Sequence, residues 1–398
     1  MPTAVIVDAV RTAGGRRNGV LSGWHPVDLA AEILGALVER NELDPALIED
    51  VLMGCAMQVG AQSLNIARNA ALAAGFPETV VGTTIDRQCG SSQQALHFAA
   101  QGVMAGAYDV VIAAGVEVMS LVPMGASTAV PTVGAPFGPR VGRRYEAVGG
   151  LVPQGVSAEL VADRWDLSRQ DLDAFGAESQ QRAARATAEG RFTREIVGVA
   201  GKVKDRESGR TMEPGEPVTT DEGIRPGTTA ETLATLKPAF KPDGKVTAGN
   251  SSQIGDGASA VLVMNEEKAI ELGLTPRARF HSFALAGVDP ITMLTAPIPA
   301  TTRVLERAGL TMDDIDVVEI NEAFASVVLA WAKEHHPDMS RVNVNGGAIA
   351  LGHPLGSSGT RLVATLLNEL DRTGGRYGLV TMCEGGGMAN ATVIERLG

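Results

Sequence analysis

Val80-Val81-Gly82-Thr83-Thr84-Ile85-Asp86-Arg87-Gln88-Cys89-Gly90-Ser91-Ser92-Gln93-Gln94 marks an abrupt change of texture in the chain. The β-branched residues before Asp86 fit a pleated strand and resist a helix. From residue 91 to 107 small and unbranched residues take over and predict a helix. Outward from this junction the same alternation recurs. Strands are expected at 3–10, 50–54, 79–85 and 109–116, separated by helices at 26–41, 65–74 and 91–107. A second series places strands at 278–286, 317–320, 342–345 and 377–383, with helices at 299–308, 324–333 and 358–370. Strand and helix in alternation predict an α/β fold. The two series correspond element by element, so the chain reads as an internal duplication. In that register the helix after Cys89 corresponds to the helix after His353, and a pseudo-twofold arrangement brings two helix N-termini to one centre.

Between the series lies an insertion with two textures. Helices are expected at 157–165 and 168–189, each opened by a serine N-cap. The remainder is loop-like, Gly/Pro-rich at 124–140 and charged at 202–221. An insertion this long is usually functional or a linker. The chain therefore divides into a first half, 1–120 with 247–272, an inserted unit, 121–246, and a second half, 273–398.

Three segments carry chemistry. Cys89 stands at the start of a helix, where unpaired N–H groups and the helix dipole favour thiolate over thiol, so it is a candidate nucleophile; a buried, inert small residue is the alternative. Asn345-Gly346-Gly347-Ala348-Ile349-Ala350-Leu351-Gly352-His353-Pro354 sets a histidine just before a proline, and proline favours the first helical position. His353 is thus expected at the cap of that helix, where the positive end of the dipole disfavours imidazolium and suits a neutral base. Met382-Cys383-Glu384-Gly385-Gly386-Gly387 ends an apolar strand with a second cysteine beside exposed backbone N–H groups. Such a turn forms an anion-binding nest or is simply a tight turn. Cys55 follows an apolar strand with no base nearby in sequence and reads as structural.

Taken together, Gln88-Cys89-Gly90-Ser91, Asn321-Glu322-Ala323-Phe324, the 345–354 segment and the 383–388 segment resemble the thiolase family, in that family's order. Thr247-Ala248-Gly249-Asn250-Ser251-Ser252 is similar to the family's loop beside coenzyme A, and the likeness runs from Ala4 to the C-terminus. The resemblance implies a five-layer α-β-α-β-α sandwich of two duplicated halves, with the inserted unit as a loop domain holding coenzyme A. It implies an acyltransferase that exchanges an acyl group between a 3-ketoacyl-CoA and CoA through an acyl-enzyme on Cys89. His353 would activate Cys89, and Cys383 would give a proton to the departing enolate or remove one in the condensing direction. His353 and a water held by Asn321 would stabilise the enolate oxygen; the backbone N–H groups of Cys89 and Gly385 would face the tetrahedral adduct. Arg225 and Ser252 would contact the coenzyme. The resemblance further implies coenzyme A or acyl-CoA as substrate, no metal or prosthetic group, and a homodimer or homotetramer.

Two departures from the family pattern stand out. Glu384 replaces an apolar residue beside Cys383, where its charge would either raise the thiol's pKa or point away. Val152-Pro153-Gln154-Gly155 replaces the His-Met-Gly of short-chain biosynthetic members. That exchange, together with segments 16–23, 251–254 and 325–329, is most similar to the actinobacterial sterol-degrading branch and implies a degradative role on a longer, branched or ring-derived acyl group. The alternatives are a biosynthetic acetoacetyl-CoA thiolase and a non-catalytic acyl-CoA or lipid carrier of the same fold. A decarboxylating ketoacyl synthase is disfavoured by Cys383.

Composition narrows the remaining classes. The 398 residues exceed one ordinary core, and 47 glycines with few aromatics imply close backbone packing. With 34 basic and 46 acidic residues the formal charge is −12, which disfavours a broad nucleic-acid or anionic-membrane surface. Lys202, Lys204, Arg206 and Arg210 alternate with acidic neighbours and read as a solvated face. Three scattered cysteines make no disulfide framework or zinc cluster and fit a reducing compartment, with the cytoplasm as the expected location. No apolar run approaches the ~18 residues of a membrane span.

Overall fold

The opening run Ala-Val-Ile-Val-Asp-Ala-Val-Arg-Thr forms β1 (Ala4–Thr12), mostly apolar and buried along its whole length, its few polar side chains included. The computed structural model describes residues 2–128, 132, 134–205, 207–212 and 215–398. In the first half β1 is followed by α1 (Pro26–Arg40), β2 (Asp50–Gly54), α2 (Ile66–Ala73), β3 (Val81–Ile85), α3 (Ser91–Met104) and β4 (Val110–Val118). After the insertion, which contributes α4 (Gln154–Arg164) and α5 (Arg169–Ala188), come β5 (Gly255–Asn265) and β6 (Ala278–Gly287). The second half continues with α6 (Pro297–Ala308), β7 (Val317–Ile320), α7 (Ala325–His335), α8 (Ser358–Thr373), β8 (Tyr377–Glu384) and β9 (Met388–Arg396).

The sheet order is β7-β8-β9-β6-β1-β5-β4-β2-β3. It divides into two runs of the same plan. In β3-β2-β4-β5-β1 the first three strands are parallel and the last two joints antiparallel. In β7-β8-β9-β6 the first joint is parallel and the next two antiparallel. The runs meet where Val5 and Ile6 of β1 pair with Arg279 and Ala278 of β6. The duplication read from the sequence is therefore a duplication of strand order.

Three cores define five layers. One lies between the first run and α1 and α2, with Leu29, Ile33, Leu34, Ile66 and Ala70 against Val51, Ile112 and Leu262. A second joins α3 and α8 to both runs, with Leu96, Ala99, Leu362 and Leu366 among Val111, Val263, Val380 and Ile394. The third covers the outer face of the second run with α6, α7 and the insertion's α4. The middle layer is tight because backbones meet. A Cβ on Gly359 of α8 would stand 2.2 Å from the Gln93 nitrogen of α3, and one on Gly54 of β2 would stand 2.2 Å from the Ser92 nitrogen. Only glycine fits such approaches.

Several boundaries differ from the sequence reading. β5 and β9, which complete the two runs, were not separated from the loops beside them. The strand expected at 342–345 is a single bridge between Val342 and Val318, because Asn343 adopts φ 46° and its amide group replaces the ladder, accepting from Ile320 N and donating to Ile320 O at 2.8 Å each. The helix expected at 157–165 starts at Gln154 behind an extended Pro153, and Ser157, inside it, donates to Ile291 O at 2.5 Å rather than capping. Ser168 does cap α5, in a reciprocal box with Asp171. Part of the 124–140 stretch, and Arg206, lie outside the described residues.

The insertion is tied to β1 through a buried arginine. Arg11 donates from Nε to Glu195 at 2.6 Å and from Nη1 to Asp221 at 2.6 Å, and Asp221 also accepts from Gly14 N at 2.7 Å. With both carboxylates bound to one guanidinium, removing Arg11 would leave two buried carboxylates without their counter-charge.

Candidate active site

Strand β3 ends in a turn in which Gln88 is forced to φ 50°, a left-handed conformation uncommon for a non-glycine residue. That turn delivers Cys89 ahead of the N-cap Gly90 of α3. The sulfur lies in a nearly closed site, Cys89 being 4% exposed. The backbone N–H groups of Gly385 and of Cys89 itself face it, as does the side chain of Gln154 at the start of α4. All three favour the thiolate. Burial outweighs them, and with Glu384 nearby the thiol is pushed up to about 12. The helix terminus favours the thiolate as expected of its position, but here withdrawal from water costs more than the amides and the dipole return.

Cys383 is the penultimate residue of β8, pairing across the hairpin with Ala389. Burial raises the Cys383 thiol well above its ordinary value, and it lies close enough to Cys89 and Glu384 that charge on either raises it further. The turn that follows depends on glycine: Gly386 and Gly387 both sit at φ 83°. Gly385 is where the hairpin meets the Cys89 turn, its Cα facing the side chains of Gln88 and Gln154.

His353 does not cap α8 as expected. It precedes Pro354, which caps a short turn at Leu355–Ser357, and Ser357 is the N-cap of α8. Instead the imidazole is fixed by Ser358. The Ser358 hydroxyl donates to Pro354 O at 2.9 Å, so its hydrogen is committed and Nδ1–H of His353 donates to Ser358 Oγ at 2.6 Å. That tautomer leaves Nε2 with a free lone pair, which accepts from Asn321 Nδ2 at 3.3 Å. Burial first, then Arg361, lowers the imidazole to about 3, so it rests neutral. Neutrality was anticipated, although desolvation rather than a helix terminus is its main source.

Asn321 follows β7 and is not a helix cap, since Phe324 occupies that position for α7. Its backbone N–H is bound to Thr381 O, two residues before Cys383, at 3.0 Å. Its Oδ1 is buried without a partner. Asn321 therefore links His353 to the strand that carries Cys383. Two further carboxylates hold the frame. Glu322 accepts from Ser179, Asn343 and Ile349 N, and Glu117 accepts from Ala56 N, Met57 N, Gln62 and Gly356 N.

Beside this centre is a cleft of about 770 Å³ in which Arg225 and Ser252 both line the wall, together with Arg16, Arg17 and Gln253. Gln253 connects cleft and centre: its carbonyl accepts from His353 N at 2.9 Å, and its amide donates to Gly223, Ile349 and Ala350 carbonyls. Ser252 N is bound to Ala323 O at 2.9 Å, so the loop at 247–252 is docked on the Asn321 segment. Lys204 and Arg210 are exposed and do not line this cleft, while Lys202 Nζ stands 3.8 Å from the Trp24 ring centroid. Among the described residues no cluster of His, Cys, Asp and Glu has metal-site geometry, and no helix is long and apolar enough to cross a membrane.

Gln154 and Gln253 escaped the sequence reading as site residues. Gln154 had one signal, a lone polar side chain opening a helix of small residues; Gln253 had none.

Comparison with known proteins agrees with this geometry. The N-terminal domain of thiolases matches residues 4–267 and the C-terminal domain of thiolases matches 274–396. A steroid 3-ketoacyl-CoA thiolase of Mycobacterium tuberculosis is 48% identical, covering 100% of this chain and 95% of the relative. A 3-ketoacyl-CoA thiolase of Idiomarina loihiensis is 47% identical with 100% of both chains covered. The crystal structure of the Bacillus anthracis acetyl-CoA acetyltransferase superposes with a TM-score of 0.89 at 38% identity, covering 100% of this chain and 99% of that one. With both domain matches in sequence order and relatives aligned from end to end, the chain belongs to the thiolase family.

Proposed function

We propose that the protein is a degradative thiolase that cleaves a 3-ketoacyl-CoA with CoA, releasing acetyl-CoA and an acyl-CoA shortened by two carbons. The observation that carries this reading is the meeting of Cys89 and Cys383 in one closed site, with the Gly385 and Cys89 amides aimed at the Cys89 sulfur. His353 Nε2 takes the Cys89 proton as sulfur attacks the keto carbon, and the two amides face the oxyanion that forms. Collapse breaks the bond between the keto carbon and its α-carbon. The acetyl-CoA enolate departs and takes a proton at carbon from Cys383. Its oxygen is stabilised by His353 and a water held by Asn321. Free CoA then attacks the Cys89 thioester and leaves as acyl-CoA.

Arg225 and Ser252 are assigned to coenzyme A because they share the cleft that Gln253 joins to His353. The inserted unit at 121–246, lying between halves at 1–120 with 247–272 and at 273–398, supplies Arg225 and Gln154 and serves as the coenzyme-holding loop domain. Similarity to a steroid 3-ketoacyl-CoA thiolase supports a longer or ring-derived acyl group. A homodimer or homotetramer is supported by β3, which ends the sheet with Val81 54% exposed beside Leu64 at 88%. Three free, buried cysteines support a reducing location, the cytoplasm.

Incubation with 3-ketoacyl-CoA esters from four carbons to a steroid side-chain thioester, with CoA, tests the reading. Thioester cleavage abolished in Cys89→Ala, with acyl adduct on Cys89 by mass spectrometry, is the expected result. Cleavage surviving in Cys89→Ala would overturn the mechanism, and preference for the four-carbon ester would overturn the degradative assignment.

A further inference from the structure

Glu384 is the residue after Cys383 and is 0% exposed, and among the described residues neither of its carboxyl oxygens has a hydrogen-bond partner. Asn390 of β9 is also 0% exposed, and its Oδ1 is likewise without a partner. These two orphaned acceptors meet over one glycine. A Cβ on Gly90 would stand 2.0 Å from Glu384 Oε1 and 2.2 Å from Asn390 Oδ1, which places the oxygens within about 4 Å of each other. Two buried acceptors facing one another with no hydrogen between them repel, and both lose a bond that water would have supplied. A proton on the carboxyl satisfies both at once.

We propose that Glu384 works protonated, as a positioning residue that donates its O–H to Asn390 Oδ1 and thereby ties the Cys383 hairpin to the helix that follows Cys89. The chain of contacts continues on the far side. Asn390 Nδ2 donates to Gln94 Oε1 at 3.2 Å, and Gln94 is in the first turn of α3. The bond thus spans β8, β9 and α3 and fixes the distance between the two thiols. Its loss reverses the effect: an ionised Glu384 would stand unpaired beside Cys89 and Cys383 and oppose a negative charge on either sulfur.

The surroundings favour the neutral form. From the turn before α3, Arg87 draws charge onto Glu384 and Asp86 opposes it. From β9 the Asn390 backbone N–H faces the carboxyl without closing a hydrogen bond, while Met388 Sδ lies 3.9 Å from an Arg87 nitrogen. From α3, His97 is held neutral by burial and Arg87 and is bound to Thr392 Oγ1 at 2.7 Å. Burial dominates this balance and pushes Glu384 up to about 8. The latch is therefore closed at neutral pH and releases in mildly alkaline solution.

The role is stated for the thiolase site proposed above, but its test reads Cys89 without turnover. Cys89 is alkylated with iodoacetamide from pH 6.5 to 9.5 in the full-length wild type and in Glu384→Gln, whose amide donates to Asn390 at every pH, and the rate is followed by peptide mass spectrometry. The two rates should agree within about threefold at pH 6.5. The variant should then outrun the wild type by about tenfold or more at pH 9.5, with the midpoint at about 8. Glu384→Ala, which lacks a donor, should differ from wild type already at pH 6.5. Parallel profiles for wild type and Glu384→Gln would show a carboxyl that keeps one charge state throughout and would overturn the proposal. Should Glu384→Gln not fold, Asn390→Ala removes the acceptor instead; an unchanged midpoint in that variant would overturn the proposal equally. Lost thiolysis with intact divergence of these rates would strike the functional reading and leave this one standing.

Discussion

Resting Cys89 should be a thiol and resting His353 a neutral imidazole, and the reactivity of Cys89 should report it. The thiol is held at about 12 and His353 at about 3. Before the attraction between the two new charges is counted, moving the proton from Sγ to Nε2 in the ligand-free site is then uphill by about nine powers of ten, or about 12 kcal/mol. That attraction and any entering water would together have to cancel about two thirds of the cost before one molecule in about a thousand held thiolate and imidazolium together. In the proposed mechanism the proton therefore leaves as the new carbon–sulfur bond forms, when the Gly385 and Cys89 amides and Gln154 would face the growing charge. Alkylation by iodoacetamide, with Cys89→Ser as the blank, reads the free thiolate directly. Its rate constant should climb about tenfold per pH unit from pH 6 to 8 without a plateau. His353→Ala should leave that profile within about threefold while thiolysis falls by about 10² to 10⁴. A plateau with an inflection between pH 4 and 7, lost in His353→Ala, would reveal a preformed ion pair and refute the reasoning.

Other consequences follow from the same coordinates. Glu384 binds its proton more tightly folded than unfolded, so it favours folding below pH 4.5 and that advantage is lost as pH rises to about 8. Glu384→Gln should thus gain on wild type across this window by at most about 5 kcal/mol, or roughly 6 °C in thermal midpoint for a chain of 398 residues; a constant difference between pH 4 and 9 would contradict the burial argument. Val81→Lys, charging the exposed edge of β3, should shift the mass measured by light scattering to that of one chain. Arg225→Ala should raise the KM for CoA about tenfold with a smaller effect on kcat, as loss of one charge-assisted contact predicts; unchanged KM would remove Arg225 from the coenzyme site.

The reach of the sequence can be judged residue by residue. Cys89, His353 and Cys383 stood out in the sequence because each lies between a predicted strand or helix and a nearby glycine, a pattern that local chemistry explains without knowledge of the fold. Strands 50–54 and 317–320 were read to the residue because both are short, apolar and bounded by turn residues. β5 and β9 were missed for different reasons. The apolar run 258–264 follows directly on a glycine-rich loop and was absorbed into it, and Asn390 and Thr392 break the apolar texture of β9 although both are buried. The strand at 342–345 failed because a side chain, Asn343, does the work of a backbone ladder. No propensity scale records such a substitution.

The charge state of the site was the hardest feature to read, and the reason is physical. A helix terminus acts through a few backbone groups close in sequence, so its sign follows from position along the chain. Desolvation depends on everything that packs around a group, and here that includes both runs of the sheet and the two central helices brought together at Gly54 and Gly359. The glycines that permit so close an approach are also what exclude water. Its consequence is the same at four groups: Cys89, Cys383 and Glu384 are pushed up and His353 is pushed down, so each is driven toward its neutral form. A centre that is neutral at rest responds strongly to the first charge placed in it, since little solvent is present to screen that charge. The amides of Gly385 and Cys89 already face the Cys89 sulfur, so in the proposed mechanism the oxyanion's charge would be met by dipoles that need not reorganise.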